Sequence, residues 1–521
     1  MNFTVLDYII FGIYLALVLL IGVFSVFSKK NNGHVNAEEY FLANKSLTWW
    51  VIGASLIATN ISATQFLGSN GSGYAIGLGI ATYEWTAAIV LIAVGMFFLP
   101  VFIEKGIYTL PQFLEIRFNK NLRTVVALMY LLIFLFMDMP TALYLGALAL
   151  KSVAGFDFYY AIAGLAIFTI LYTVSGGLES VAWTDVLQTI VLIAGGAIVL
   201  IAGLYALGDG QGILSGIYNM YQKAPSHFDM ILDSSNPNYQ YLPGLHVLLG
   251  AVWIAHLNYW ACNQYIIQKA LAAKSIGEAQ KGVLFAGGIK LFLPLILVLP
   301  GIIAYALGAR LYKPDEAYPW LISQYLAPGI KGFAVAGLVA AIVSTLAAIS
   351  NAISTLLVLD ITATYYPGMS DVQKVKWGRI IMIASFIIAL LVAPAFNSIS
   401  QIFQFTQEFG GFYTPGTVAL FLFGLFWSRT TDRAAMASVV LTIPLSVLFK
   451  IWLPHVPFIN RMGIVFVILC AMIVCFSLLQ NNGEHPKAIR FQKHYFKLSP
   501  IFIAGSMVIF AVLAYLYYIF W

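Results

Sequence analysis

An apolar run of about twenty residues, repeated along the whole chain, is the feature that most constrains what this sequence can fold into. At about 1.5 Å of rise per residue, some twenty such residues make a helix that crosses the ~30 Å hydrocarbon layer of a bilayer. Scanning gives about fourteen candidate spans, at 7–28, 48–75, 80–104, 122–150, 157–175, 184–205, 243–270, 280–308, 332–363, 377–395, 397–427, 433–454, 458–480 and 498–520. Charge agrees: 9% of the residues are charged and 61% hydrophobic, against roughly 25% charged in a soluble domain. So little charge cannot cover a water-facing surface, and lipid must solvate much of the chain. The first run lacks a basic leader and a small-residue cleavage site and ends at Lys29-Lys30, so it reads as a retained helix. The expected fold class is an all-α integral membrane protein.

The net charge of +6 falls mostly in short connections between spans and forms no basic stripe, which argues against nucleic acid as a partner. The basic residues orient the chain instead. With the N-terminus outside, inside connections hold about 19 of the 27 basic residues, among them Lys105, Arg117, Lys120, Arg123, Lys487, Arg490 and Lys493. An even span number then puts both termini on the outer side. Long outer segments are expected near 206–242 and 309–331, with short helical pieces. Cys262, Cys470 and Cys475 lie in apolar runs and suggest packing rather than a disulfide framework.

Polar residues inside the runs locate function. A charge at mid-bilayer costs about 2.5–3.5 kcal/mol, so it faces a cavity or a partner. Glu84, Asp138, Asp185 and Lys290 are the candidates, with Asp185 also readable as a helix-end residue. Thr59, Asn60, Ser62, Thr64 and Gln65 crowd a second span that then runs into Gly68–Gly73. The seventh repeats the theme with His256, Asn258, Tyr259, Trp260, Asn263 and Gln264. The spans at 48–75, 243–270 and 397–427 are expected to be interrupted. Broken helices are tolerated only where their backbone lines a cavity or is buried in protein. Two of them five spans apart point to a transporter of inverted repeats. Ser344 and Thr345 in the ninth span add adjacent hydroxyls, which with carbonyls freed at a helix break suit sodium; calcium would recruit carboxylates.

These residues sit in segments that resemble a known family. FLANKSLTWW, ASLIATNISATQFLGSNGSGYAIGLGIATYEW and FIEKGIYTLPQF come early in the chain. YTVSGGLES (172–180), AWTDVLQ (182–188), NYWACNQYIIQKALAAKSIGEAQKG (258–282), AAIVSTLAAISN (340–351) and FQFTQEFGG (403–411) follow. Together they resemble the sodium/solute symporters, in particular the bacterial sodium/galactose and sodium/glucose branch. The resemblance implies a single transporter domain with a LeuT-like core of two inverted five-helix repeats. An extra N-terminal helix would occupy 7–28, the repeats 48–205 and 243–427, and three further helices 433–520. It implies inner-membrane location and co-transport of Na+ with a sugar. Asn60, Gln65, Tyr83, Glu84, Asp138, His256, Tyr259, Trp260, Lys290 and Gln407 would serve the sugar, with Tyr259 as an inner gate. Ala58, Ile61 and Ala341 would offer sodium their carbonyls, and Ser344 and Thr345 their hydroxyls. Asp185 would lie on the sodium exit route.

A hexose offers hydroxyls that donate and accept, so mixed amides, a carboxylate and an ammonium beside an aromatic ring fit its chemistry. The chain departs from the galactose pattern at His256 (an asparagine there), Ala87 (a serine), Ser69 (a methionine) and Asp138 (an asparagine). Another polyol such as myo-inositol is therefore the alternative substrate. A carboxylate would call for an unpaired arginine in a span, and none is present. A membrane-embedded enzyme finds no metal-ligand spacing among the seven histidines. A channel would need a repeated filter.

Overall fold

The computed structural model describes residues 3–27, 37–399, 402–480 and 483–521. Lys29, Lys30 and His34, and the side chains of Thr64 and Lys493, lie outside the described residues. The described chain is helical, with a single isolated backbone bridge between Leu47 and Ala273. In hydrocarbon every backbone donor and acceptor must be met internally, and a helix does this within one segment.

Eleven helices among the described residues are long and apolar enough to cross a membrane, or twelve if one bent pair is counted as a span. In chain order they and the other core elements are α1 (Val5–Phe27), α2 (Trp49–Asn60), α3 (Ala63–Ala75), α4 (Leu78–Glu104), α5 (Lys120–Ala154) and α6 (Phe158–Leu207). There follow α7 (Val252–Ala261), α8 (Gln264–Leu271), α9 (Ile276–Ala306), α10 (Ile330–Tyr365) and α11 (Asp371–Val392). Last come α12 (Ile402–Phe426), α13 (Asp432–Trp452), α14 (Phe458–Gln480) and α15 (Pro500–Ile519). The chain is a multi-pass membrane protein.

Burial ranks them. The apolar window of α10 is 94% buried, while those of α1 and α15 are 22% buried. So α10 is the axis of the bundle, packed most extensively on α6, and α1 and α15 are its rim. Exposed residues of the rim and of the outer helix faces, such as Leu20, Leu171, Phe292, Leu391, Leu479 and Met507, are apolar, as lipid-facing residues must be.

Both breaks expected from the polar clusters are present. The α2–α3 pair bends by 58°. At the bend the Ser62 amide turns to Asn60 O at 2.8 Å rather than to its helical partner, Ala58 O, and the Ser62 hydroxyl caps α3 by accepting from the Gln65 amide at 3.1 Å. The second break, between α7 and α8, repeats the device: Asn263 Oδ1 accepts from the Tyr265 amide at 3.1 Å. The Leu47–Ala273 bridge ties the start of α2 to the end of α8.

Three features of the spans have physical causes. Among the described residues the glycine cluster within 397–427 does not interrupt the helix: α12 runs unbroken through Gly410, Gly411 and Pro415, after a separate 3-10 turn at Ala393–Ser398 and an extended Ile399. Thr442 of α13 meets groups near Pro415, its hydroxyl accepting from the Gly416 amide at 3.0 Å and donating to Phe412 O at 3.2 Å, and such side-chain partners let a membrane helix pass a proline. The spans expected at 157–175 and 184–205 are the two halves of α6, 158–174 and 176–207, which meet at a kink at Gly177 (φ 59°, ψ −151°). A Cβ there would stand 2.3 Å from Tyr40 O, so only glycine fits. Asp138 ends a π-helical stretch, Phe134–Asp138, just before Pro140. Proline lacks an N–H and crowds the carbonyl four residues back, and the wider turn absorbs this. The same pairing occurs at Val94–Phe98 before Pro100.

Candidate functional site

A cavity of about 170 Å³ opens where α2–α3, α4, α5, α7, α9 and α12 meet. All ten residues expected to serve the sugar line it: Asn60, Gln65, Tyr83, Glu84, Asp138, His256, Tyr259, Trp260, Lys290 and Gln407. They come from seven helices and up to 347 positions of separation, so only the fold assembles them. Gly68 contributes by its size: a Cβ there would meet Phe403 Cβ at 2.5 Å, so the glycine lets α3 approach α12.

At the cavity wall Lys290 and Glu84 form an ion pair at 2.5 Å, with side chains 1% and 2% exposed. The Lys290 ammonium also donates to Asn60 Oδ1 and lies 5.0 Å over the Trp260 ring. Gln65 Nε2 donates to the other Glu84 oxygen. Charge, amides and ring thus form one chain, Gln65–Glu84–Lys290–Asn60, in which each charged group is balanced and hydrogen-bonded, as burial demands. His256 Nε2 bonds Thr86 Oγ1 at 2.8 Å. The Tyr83 hydroxyl is buried and faces Gln407. Tyr259 stands edge-on to Trp260 at 5.1 Å and to Tyr265 at 6.2 Å. Asp138 lies beside Tyr259, Tyr265 and Tyr413.

The oxygen donors expected for sodium gather at the α2–α3 break. Thr345 Oγ1 lies 3.0 Å from Ala341 O and 3.1 Å from Thr59 O, joining α10 to the last turn of α2. Ala58 loses its helical partner at the break, and Ile61 sits in it (φ −78°, ψ 71°). Ser344 Oγ donates to Asp185 Oδ1 at 2.5 Å. Asp185 is therefore not a helix-end residue reaching for water: it is fully buried and in contact with this set.

Sequence reasoning missed Lys269. Its ammonium, fully buried, pairs with Asp185 Oδ2, donates to Thr59 Oγ1 and lies 3.1 Å from Ser55 O. Ser55 Oγ donates to the same carboxylate at 2.5 Å. This lysine stands one residue from the end of an expected span, where a charge reads as snorkelling to water; the bend before α8 carries it inward instead. Above α3, Asp315 of the 309–331 segment packs on Gly71, and burial pushes its carboxyl up to about 6.

The profile of the Sodium:solute symporter family matches residues 40–442. The chain is 44% identical to a sodium/glucose cotransporter of Vibrio parahaemolyticus, over 99% of this chain and 98% of that protein. It is 30% identical to sodium/myo-inositol cotransporter 2 of Mus musculus, over 84% and 68%. The solved structure of a Na+-coupled sialic acid symporter, in a substrate-bound outward-open state, superposes with a TM-score of 0.81 at 23% identity, over 92% of this chain and 98% of that one. That likeness bears on the fold.

Proposed function

Because the chain belongs to the sodium:solute symporter family, we propose that it carries a galactose- or glucose-like hexose into the cell with sodium, by alternating access. It is a membrane transporter, not an enzyme. The observation that carries the sugar reading is the Gln65–Glu84–Lys290–Asn60 chain walling a cavity beside Trp260. An ammonium and a carboxylate that already neutralise each other ask no net charge of a ligand. A neutral polyol can enter their hydrogen-bond chain, donating to Glu84 and accepting from Lys290, with its apolar face on the ring. A ligand lacking one hydroxyl would leave a buried group unpaired, at about 1–3 kcal/mol.

Sodium is the co-transported substrate. Carbonyls of Ala58, Ile61 and Ala341 with hydroxyls of Ser344 and Thr345 would hold it between α10 and the α2–α3 break. The same break carries Asn60 and Gln65 to the sugar. Each ligand therefore favours the arrangement the other needs, and the coupling is reciprocal. Asp185, in contact with Ser344, would receive sodium on its way inward, and rotation of Tyr259 would open the inner side to sugar.

Fourteen spans follow if α2–α3, the 158–174 half of α6 and α7–α8 each cross once, with both termini outside the inner membrane. Spans two to six (48–205) and seven to eleven (243–427) would be the inverted repeats, with 7–28 before them and 433–520 after. Myo-inositol remains the second substrate, favoured by His256 where the galactose pattern has an amide. The test is uptake of labelled galactose, glucose and myo-inositol into proteoliposomes with sodium or potassium outside. A hexose should enter fastest and only with sodium; equal uptake in potassium would sink the reading.

A further inference from the structure

Among the described residues the central cavity is bordered by two carboxylates, Glu84 and Asp138, and by a single ammonium, that of Lys290. Glu84 takes the ammonium at 2.5 Å, and Asn60 holds it further. Asp138 is the charge this pair leaves out. Among the described residues it makes no ion pair and no hydrogen bond. The other titratable side chains on the wall are His256, whose Nε2 bonds Thr86 Oγ1 at 2.8 Å, and tyrosines. Neutral imidazole and phenol bring no charge. The cost of placing a carboxylate inside a span is thus met for Glu84 and unmet for Asp138.

The π-helical turn Phe134–Asp138 aims it. Phe136 of that turn is exposed and Met137 is buried, while Asp138 borders the cavity together with Thr141 one turn on. Tyr259, Tyr265 and Tyr413 stand around the carboxylate and line the same cavity. The hydroxyls of two are turned to other groups: Tyr259 faces Asn60 and Tyr265, and Tyr413 faces Asn258. A carboxylate without a counter-charge among aromatic rings suits an organic ammonium, which gains a charge-assisted hydrogen bond and attraction to the rings. No other lysine or arginine borders the cavity among the described residues, so the balancing charge is left for the ligand to bring.

We propose that the sugar this site takes best is an amino hexose, whose ammonium pairs with Asp138 while its hydroxyls enter the Gln65–Glu84–Lys290–Asn60 chain. The proposal rests on the central cavity being a hexose site and names the class of hexose. The test is calorimetric titration of the purified full-length protein, in nanodiscs with saturating sodium at pH 7.0, with D-glucosamine, D-glucose, D-galactosamine and D-galactose. In the better-bound pair the amino sugar should bind about three- to thirtyfold more tightly than its neutral parent. Asp138→Asn should bring that ratio to about one or below. In proteoliposomes wild type should move one more charge with each amino sugar than with each parent sugar. That count needs no variant and holds even where Asp138→Asn does not fold. A neutral parent bound by wild type as tightly as its amino sugar would overturn the proposal and leave the hexose reading standing. So would a preference that persists in Asp138→Asn, or equal charge per sugar. So would the uptake of one proton with each neutral hexose, read by repeating the titration in buffers of different ionisation enthalpy, which would show that a proton meets Asp138. No binding of any of the four sugars to wild type would overturn the central reading itself.

Discussion

Replacing Glu84 by glutamine keeps the shape of the side chain and removes its charge. In the folded protein one Glu84 oxygen accepts from Gln65 and the other from Lys290 at 2.5 Å. A glutamine has a single acceptor oxygen, which goes to the ammonium, while Gln65 must flip its amide to accept from the new NH2. Two effects follow. A sugar hydroxyl loses a charge-assisted acceptor worth about 1.5–3 kcal/mol, which weakens binding roughly ten- to 150-fold. Lys290, 1% exposed, loses its counter-charge, and breaking a buried pair costs about 3–5 kcal/mol of stability. Asn60 and the Trp260 ring remain to the ammonium, so the lower end is expected. Glu84→Gln with Lys290→Met should recover stability but not binding, which separates the two effects. Calorimetric titration of hexose and thermal unfolding of both variants read them independently. Hexose affinity within twofold of wild type in Glu84→Gln would show that this carboxylate serves only the fold.

Thr345→Ala removes the hydroxyl that stands between Ala341 O and Thr59 O; it should raise the sodium concentration for half-maximal uptake several-fold while thermal stability changes little. Lys269→Ala leaves Asp185 buried without its ammonium and should cost about 3–5 kcal/mol, with Asp185→Asn in the same chain restoring the melting temperature; an unchanged melting temperature in Lys269→Ala would refute the pairing. Asp315 gives a pH signature: its folded value of about 6 exceeds its ordinary 3.8, so between these the folded state binds more protons than the unfolded and stability falls as pH rises from about 4 to 6. The difference corresponds to roughly 3 kcal/mol, and Asp315→Asn should raise the melting temperature at pH 7.5 and flatten its dependence between about pH 4 and 6.

Much of the site was legible before any fold was known, because the membrane makes polarity expensive. Glu84 and Lys290 stand out as charges in apolar runs, and the Thr59–Gln65 and His256–Gln264 clusters mark both helix breaks. What the sequence hides is direction. Nothing in a separation of 159 positions between Asp185 and Ser344 announces their hydrogen bond, and Lys269 looks like an end charge until the bend at Cys262 and Asn263 turns α8 into the bundle. The glycine clusters of α12 and α3 look like breaks in sequence, yet Gly68, Gly71 and Gly73 lie inside α3 and the break falls before it, at Ile61 and Ser62. The difference is that Ser62 supplies a cap for a new helix start, whereas Gly410 and Gly411 offer no competing partner and the ladder continues. Asp138 shows the same limit, since its want of a partner becomes visible only once its neighbours are in place.

Coupling is the central claim, and reciprocity gives its most direct measurement. Proteoliposomes containing the purified protein are given equal labelled sodium on both sides, the membrane potential is clamped at zero, and a hexose gradient is imposed. If sodium and sugar share the α2–α3 break, downhill sugar entry must drive labelled sodium inward against its own rising gradient, and Thr345→Ala must weaken that flux. Sugar that equilibrates while sodium stays level would contradict the account.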